Sequence, residues 1–249
     1  MKNSLRIPFW VVAMIAASNT FAQESTLNLS SFNKITVSPR IHLILQKGEK
    51  EAVRFICNDI PKEKVNVKVH GNKLKIFLDH ARIVEKQARI HENGNSRKQG
   101  IYAGASVTAY VTYRELKSVA IRGESELRCD DELSAAKFKL KAYGENEIRL
   151  ASLQTKKFKS SLYGENDLKI NSGQTNRQVY RLFGENKIDT HNFISETAST
   201  RIYGEGKIRV NASNEVRITA FGEPSVIIDG TSFVSKGIIL GHADIRVTK

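Results

Sequence analysis

Glutamate recurs directly after glycine in the second half of the chain, at a nearly constant interval. The recurring residues are Glu124, Glu145, Glu165, Glu185, Glu205 and Glu223. If successive repeats stack as neighbouring strands, these carboxylates form a column with a spacing of about 4.8 Å. Carboxylates that close together repel one another unless cations compensate them. A bound metal ion and neighbouring basic side chains are the two ways to supply the cations.

A hard divalent ion such as Ca²⁺ is one candidate, because it prefers oxygen ligands. The candidate metal ligands are the four central glutamates, Glu145, Glu165, Glu185 and Glu205. Basic residues are the alternative, either five positions after each glycine or at Lys141, Arg181 and Arg201. We favour the basic residues, because the column lacks the mixed ligands of a dedicated calcium loop.

Aromatic residues form a second column, immediately before the same glycines. They are Tyr143, Tyr163, Phe183, Tyr203 and Phe221. This column alternates with an apolar one, so its rings should point outward or lie along a corner. A row of exposed ring faces would be a candidate ligand-binding platform for sugars or for a protein. Rings that stack on one another would instead stabilise the fold without any ligand.

Sequence motifs for catalysis or cofactor binding are missing. The six histidines lack the His-Glu-x-x-His spacing of zinc enzymes, and the sequence contains no nucleophile elbow and no phosphate-binding loop. We therefore expect no catalytic residues and no cofactor. Cys57 and Cys129 both lie in alternating segments, where either a disulfide of an exported protein or two buried thiols would fit.

The columns belong to a repeat that is centred on Gly123, Gly144, Gly164, Gly184, Gly204, Gly222 and Gly241. Apolar residues around each glycine alternate with mostly charged ones, which is the period of half-buried strands. Each repeat therefore predicts a strand, a glycine turn, a second strand and a second turn. About 20 residues form one coil of a parallel β-solenoid, and stacked coils share a continuous core. An antiparallel β-sandwich would not explain the in-register columns, and propeller blades need about 40 residues or more.

The segment 1–22 predicts a signal peptide, because Lys2 and Arg6 precede a short apolar run that ends at Ala17. That run is too short to span a membrane, and we expect no transmembrane span in the mature chain. Residues 23–249 are expected to form a single all-β domain, with regular repeats over about 119–249 and a less regular β-rich amino-terminal half. Within that half, residues 85–100 lack periodicity and predict a long exposed loop.

The formal net charge is +13, from 39 Lys and Arg against 26 Asp and Glu. An excess of this size attracts polyanions such as nucleic acid, anionic glycans or lipid head groups. Loss of Lys2 and Arg6 with the signal peptide lowers the charge by only two, so the excess belongs to the folded part. Export to the periplasm, the cell surface or the medium argues against nucleic acid as a partner.

Three segments of the amino-terminal half resemble those of a known family. They are Phe32–Ser38 (FNKITVS), Gly71–Leu74 (GNKL) and Val111–Val119 (VTYRELKSV). Together with the glycine repeats, they make nearly the whole mature chain similar to the bacterial putative auto-transporter adhesins with a head GIN domain. The resemblance implies a right-handed β-helix-like fold and a location in the cell envelope, and it transfers no catalytic residue. The Gly-Glu-Asn turn departs from the family, in which a small or apolar residue usually follows the glycine.

The favoured function is that of an exported, non-catalytic envelope protein of adhesin type. It would present its aromatic, acidic and basic columns to an acidic polysaccharide or to a surface protein. One alternative is a polysaccharide lyase or hydrolase, which would need clustered carboxylates and a positioned base rather than a regular column. Another is an envelope scaffold that associates with itself through these columns, which would make the protein a homo-oligomer.

Overall fold

The glycine repeats form the coils of a parallel β-solenoid of about five turns in the computed structural model, as the sequence predicts. The structure describes residues 26–92 and 95–248, so the predicted signal peptide, residues 1–22, lies outside the described residues. Apart from one 3₁₀ turn at Lys62–Lys64, the regular structure of this part is all strand. Among the described residues, no helix is long and apolar enough to cross a membrane.

The strands follow one another closely along the chain, and β10 alone extends through more than two coils. In chain order they are β1 (Leu27–Asn28), β2 (Lys34–Val37), β3 (Ile41–Lys47), β4 (Ala52–Asn58), β5 (Val65–His70), β6 (Lys73–Leu78), β7 (Gln87–Glu92), β8 (Asn95–Gly100), β9 (Ser106–Tyr113), β10 (Ser118–Ile170), β11 (Gly173–Phe183), β12 (Asn186–Tyr203), β13 (Gly206–Gly222), β14 (Ser225–Asp229), β15 (Phe233–Gly241) and β16 (Asp244–Thr248).

Each coil consists of a strand stretch, a Gly-Glu corner and a second strand stretch. The stretches before the corners pair in parallel, so that Phe183 of β11 lies between Tyr163 of β10 and Tyr203 of β12. The stretches after the corners pair in the same way, with Ile188 of β12 beside Ile208 of β13. We call the two resulting sheets the first layer and the second layer. The offset between paired residues is the period of the sequence repeat.

The two layers face each other across one hydrophobic core, which extends from Phe32 to Ile228. Alternation places every second residue of each stretch in this core, as predicted for half-buried strands. Contacts between the layers include a hydrogen bond between the hydroxyls of Tyr180 and Thr190, 3.0 Å apart. Within the first layer, the ring of Phe158 packs edge-on against Phe193, with 5.7 Å between the ring centroids.

Antiparallel strands cover the amino-terminal end of the solenoid. In the first layer, β2 and β6 add in parallel to β10, and β5 then pairs antiparallel with β6. In the second layer, β3 and β9 add in parallel, and β4 and β1 follow in antiparallel orientation. This change of direction is why the amino-terminal half keeps the alternation of strands but loses the regular spacing of the repeats.

A two-stranded antiparallel hairpin, β7 and β8, occupies the segment that the sequence predicted to be a loop over residues 85–100. The loop prediction is wrong because the hairpin is mostly polar on both faces and therefore has no hydrophobic period. At the base of the hairpin, the carboxylate of Glu85 accepts a hydrogen bond from Arg40 at 3.0 Å. The Asn-Gly dipeptide at 93–94 is a common hairpin signal in sequences and would have indicated the pairing.

The carboxyl-terminal end is not covered in this way by any described residue. Among the described residues, the first layer ends with β15, which pairs only with β13, and the second layer ends with β16, which pairs only with β14. Within this part of the chain, both strands therefore have one edge whose backbone groups have no strand partner.

Candidate functional site

The five aromatic residues beside the corner glycines form one continuous stack. Neighbouring ring centroids are 4.8–5.0 Å apart, and neighbouring planes differ by 3–5°. Parallel pairing places equivalent residues of successive coils one strand spacing apart, and this spacing brings the rings face to face. The guanidinium of Arg122 lies over the ring of Tyr143, 5.5 Å from its centroid, and continues the stack at one end. By register, Leu240 lies beside Phe221 at the other end.

The stack leaves ring edges rather than ring faces available to a ligand. Tyr163 is 36% exposed and Tyr203 is 38% exposed, but the faces of both rings are covered by their neighbours. A sugar packs its apolar face against the face of an aromatic ring, so this geometry does not favour the predicted sugar platform. Its physical effect is to stabilise the stacking of the coils.

A ladder of buried asparagine amides follows the inner side of the same corner. Asn146 donates from Nδ2 to Oδ1 of Asn166 at 2.8 Å, and Asn166 donates to Asn186 at 3.0 Å. Asn186 donates to the carbonyl oxygen of Phe183 at 3.3 Å and ends the ladder. At the other end, Oδ1 of Asn146 is buried without a partner among the described residues, because the preceding coil has Ser125 at this position.

Changing Asn166 to leucine should lower the free energy of unfolding by roughly 2–4 kcal/mol, because one amide on each side loses its partner and remains buried. The complementary change, Ser125→Asn, should raise it by about 1 kcal/mol, since the new amide can donate to the unpartnered oxygen of Asn146. Denaturant-induced unfolding of both variants measures these effects. A neutral Asn166→Leu or a destabilising Ser125→Asn would contradict the ladder.

The glutamate column lies on the exposed side of the corner, and its first four members line a groove of about 1000 Å³. They are Glu124, Glu145, Glu165 and Glu185. Arg40 neutralises the first glutamate, Glu124, at 2.8 Å. The four candidate ligands, in contrast, form no ion pair within the described part of the chain.

Arg149, five positions after a corner glycine, neutralises acidic residues other than the glutamates for which the sequence predicted this role. Arg149 contacts Glu147 at 3.0 Å and Asp167 at 2.9 Å, and both acids lie three positions after a glycine. The expectation that basic residues neutralise the four central glutamates is therefore wrong. Their exposure explains why no such neutralisation is needed, since water screens exposed charges.

Titration of Ca²⁺ into the protein should give no heat of binding. No group of three or more His, Cys, Asp or Glu side chains within residues 26–92 and 95–248 is arranged to hold a metal ion. Isothermal titration calorimetry at low salt tests this expectation. A saturable heat that disappears in a Glu165→Gln/Glu185→Gln variant would instead identify the glutamate column as a cation site.

Basic side chains cover the outer surface of the first layer. They occupy three outward columns of successive coils, between buried residues of the same strands. The members of this surface, which we call the lysine face, are Lys137, Lys139, Lys141, Lys157, Lys159, Arg177, Arg181 and Arg201. None of them forms an ion pair with a described acidic residue. Partial burial, together with the charges of Arg181 and Lys139, lowers the pKa of Lys159.

The sequence alone did not indicate that the lysine face is one surface. Of its members, only Lys141, Arg181 and Arg201 were candidates, as cations that would neutralise the glutamate column. The alternation in Lys137–Lys141 (KFKLK), which recurs one repeat later in Lys157–Ser161 (KFKSS), is the signal that would have found it. Arg217, further along the same face, pairs with Glu215 at 3.2 Å, and arginines of the second layer pair with aspartates at 2.7–2.9 Å.

The two cysteines are free thiols, so the disulfide alternative is not formed; Cys129 is buried, whereas Cys57 is half-buried. Cys57 lies on β4 and Cys129 on β10, with β9 and β3 between them. Three strand spacings amount to about 14 Å, which is beyond the roughly 7 Å between Cα atoms that a disulfide tolerates. Burial raises the pKa of Cys129, whose sulfur is 3.7 Å from the hydroxyl of Tyr113.

Solved structures share this architecture at low sequence identity. A putative adhesin from Bacteroides fragilis is 17% identical with a TM-score of 0.69, and the match covers 90% of this chain and 95% of that chain. A putative adhesin from Parabacteroides merdae is 14% identical with a TM-score of 0.66 and the same coverage. A putative lipid binding protein from Parabacteroides distasonis is 16% identical with a TM-score of 0.61, over 91% of this chain and 96% of that chain. No curated protein matches the sequence.

The sequence itself matches a family model over residues 31–232, which include the three amino-terminal segments and most of the glycine repeats. That model describes a putative auto-transporter adhesin, head GIN domain. The structural neighbours are too distant in sequence to show more than a common fold, whereas the family match covers most of the chain. The resemblance seen in the sequence is thereby confirmed, and the chain belongs to the family of putative auto-transporter adhesins with a head GIN domain.

Proposed function

We propose that the chain is an exported, non-catalytic binding module of adhesin type whose lysine face holds an acidic polysaccharide. The observation that carries this proposal is the set of eight cations on the outer surface of the first layer, none paired with a described acid. Membership of an adhesin family supports the general role. The signal-like amino-terminal sequence supports export.

The spacing of the lysine face suits a linear polyanion. Equivalent cations of neighbouring coils are one strand spacing apart, which the aromatic stack measures as 4.8–5.0 Å. Lys157 and Arg177 are direct neighbours in this sense, as are Arg181 and Arg201. Because paired strands hold the backbone of these residues rigidly, only their side chains must be ordered when a ligand binds, and this lowers the cost of binding.

The corner groove does not suit the same ligand. Its walls carry seven carboxylates against three Lys and Arg side chains, which gives it a negative potential. A polyanion would be repelled there and attracted to the lysine face. The regular, exposed arrangement of these carboxylates also differs from the buried acid and base pair of a polysaccharide-cleaving enzyme.

Binding of the protein to polygalacturonate should be saturable and should weaken by about tenfold or more between roughly 0.1 M and 1 M salt, as the Debye length falls from about 10 Å to about 3 Å. Neutral dextran is the control and should not bind. Biolayer interferometry with each polymer immobilised measures both.

Affinity that ignores salt, or equal binding to dextran, would contradict the electrostatic part of the proposal. Binding to vesicles of an anionic phospholipid without binding to polygalacturonate would replace the polysaccharide by a lipid head group. Release of shortened or unsaturated products from polygalacturonate would overturn the non-catalytic part.

A further inference from the structure

We propose that the open carboxyl-terminal end of the solenoid binds a second copy of this chain. In this dimer, β15 pairs antiparallel with β15 of the second copy, and β16 pairs antiparallel with β16. The proposal rests on the edges of the last coil and on the residues that the coil exposes, and it does not depend on the proposed function.

Inward-facing residues of the last coil are partly exposed to solvent, whereas the equivalent residues of the coil before it are buried. Ile228 is completely buried, whereas its paired neighbour in the last coil, Val247, is 50% exposed. Val234 and Ile245 are likewise only partly buried, although both pack against the core. The hydrophobic core is therefore only partly covered at this end, where two strand edges have no strand partner among the described residues.

Outward positions of the last coil change from basic or polar to apolar. Phe233 is 72% exposed and lies three coils after Arg177 in the column that the register defines, which continues through Thr197 and Glu215. Ile238 is 62% exposed and has the position, three before the corner glycine, that Arg201 has in its own coil. Leu240 is 59% exposed and extends the aromatic stack. Apolar side chains at the rim of an open core are typical of a protein interface.

A second copy fits this end better than a single added strand. The first and second layers end in the same coil, so a partner must offer two strand edges separated by the thickness of the core. A peptide in strand conformation would pair with one edge and leave the other edge and the core exposed. The same end of a second copy offers two edges with matching separation and its own exposed core.

The symmetry of the pairing follows from the lengths of the strands. A two-fold axis perpendicular to the layers reverses the strand direction and keeps each layer in its plane. It therefore pairs the nine residues of β15 with the nine residues of β15 of the second copy, and the five residues of β16 with the five residues of its β16. Antiparallel pairs are slightly more stable than parallel ones, and a two-fold arrangement closes after two copies. It also joins the two lysine faces in one plane, a consequence for ligand binding that rests on the proposed function.

Sedimentation equilibrium over a range of concentrations should show the protein as a dimer, with twice the mass of one chain. Ile238→Lys/Leu240→Lys should sediment as a monomer, because two charges at the rim would meet their counterparts across the two-fold axis. Leu27→Lys/Ile56→Lys makes the same change at exposed positions of the opposite end and should remain a dimer. Hydrogen exchange of the wild type should slow in Phe233–Gly241 and Asp244–Thr248 as the concentration rises.

A wild type that is monomeric at every concentration, or a dimer that survives Ile238→Lys/Leu240→Lys, would overturn the proposal. So would dissociation caused by Leu27→Lys/Ile56→Lys, which would place the contact at the other end, or unchanged exchange in β15 and β16. A monomeric wild type that still binds polygalacturonate would refute the dimer alone, and a dimer that does not bind polygalacturonate would refute the proposed function alone.

Discussion

Replacing Gly164 with alanine should lower the free energy of unfolding by about 3 kcal/mol or more, which is a large share of the stability of a typical domain. The corner places Gly164 at φ +101°, where an alanine side chain adds about 1–2 kcal/mol of strain. The added Cβ would also lie 2.5 Å from the carbonyl oxygen of Gly144 in the preceding coil. Strand pairing fixes the distance between the two coils, so the clash adds roughly 1–3 kcal/mol.

Gly104→Ala is the matched control for this prediction. Gly104 also has a positive φ, +80°, but an added Cβ would meet no heavy atom within 4 Å. The control should therefore lose only the backbone term of about 1–2 kcal/mol. Guanidinium-induced unfolding followed by circular dichroism measures both variants. Equal losses would mean that the corner glycines serve only the turn, and that the close approach of neighbouring coils has no energetic effect.

The fold of the repeat half can be predicted well from the sequence, because each structural position of a solenoid recurs in every coil. The sequence therefore contains several examples of each position. The column of Leu162 and Leu182 is apolar because it faces the core, and a single repeat period determines both the coil and the register. Each column also supports the others, so a single irregular residue does not hide the pattern. The amino-terminal end lacks this redundancy, because β1, β4 and β5 each add one antiparallel strand whose partner no period specifies.

The candidate site was harder to predict because it depends on which columns share a surface. Lys141 and Glu145 are close in sequence, but the corner between them turns the chain, and they belong to different surfaces of the solenoid. Their closeness in sequence suggested an ion pair between the two side chains, but the corner directs them to different surfaces and prevents it. The aromatic column illustrates the same limit. Its position was predicted, but whether the rings show faces or edges depends on the spacing of the coils and on the ring torsions.

Replacing Lys139, Lys141 and Lys159 with glutamine should weaken the binding of polygalacturonate on the order of 100-fold. A cation close to a polyanionic surface contributes about 1 kcal/mol, so the loss of three amounts to about 3 kcal/mol. The three side chains point outward from the first layer and have no ion pair with a described acid, so their removal should leave the fold intact. Circular dichroism checks the fold, and biolayer interferometry at low salt measures the affinity.

The matched control is Lys169→Gln/Lys187→Gln/Lys207→Gln, which removes the same number of lysines from exposed positions after the corner glycines. It lowers the net charge by the same amount, but it leaves the lysine face complete. If binding depends on the geometry of the lysine face, the control should retain an affinity within a fewfold of the wild type. Equal weakening of both variants would mean that the polymer responds only to the net charge of the protein, because such an attraction does not depend on where the lysines are placed.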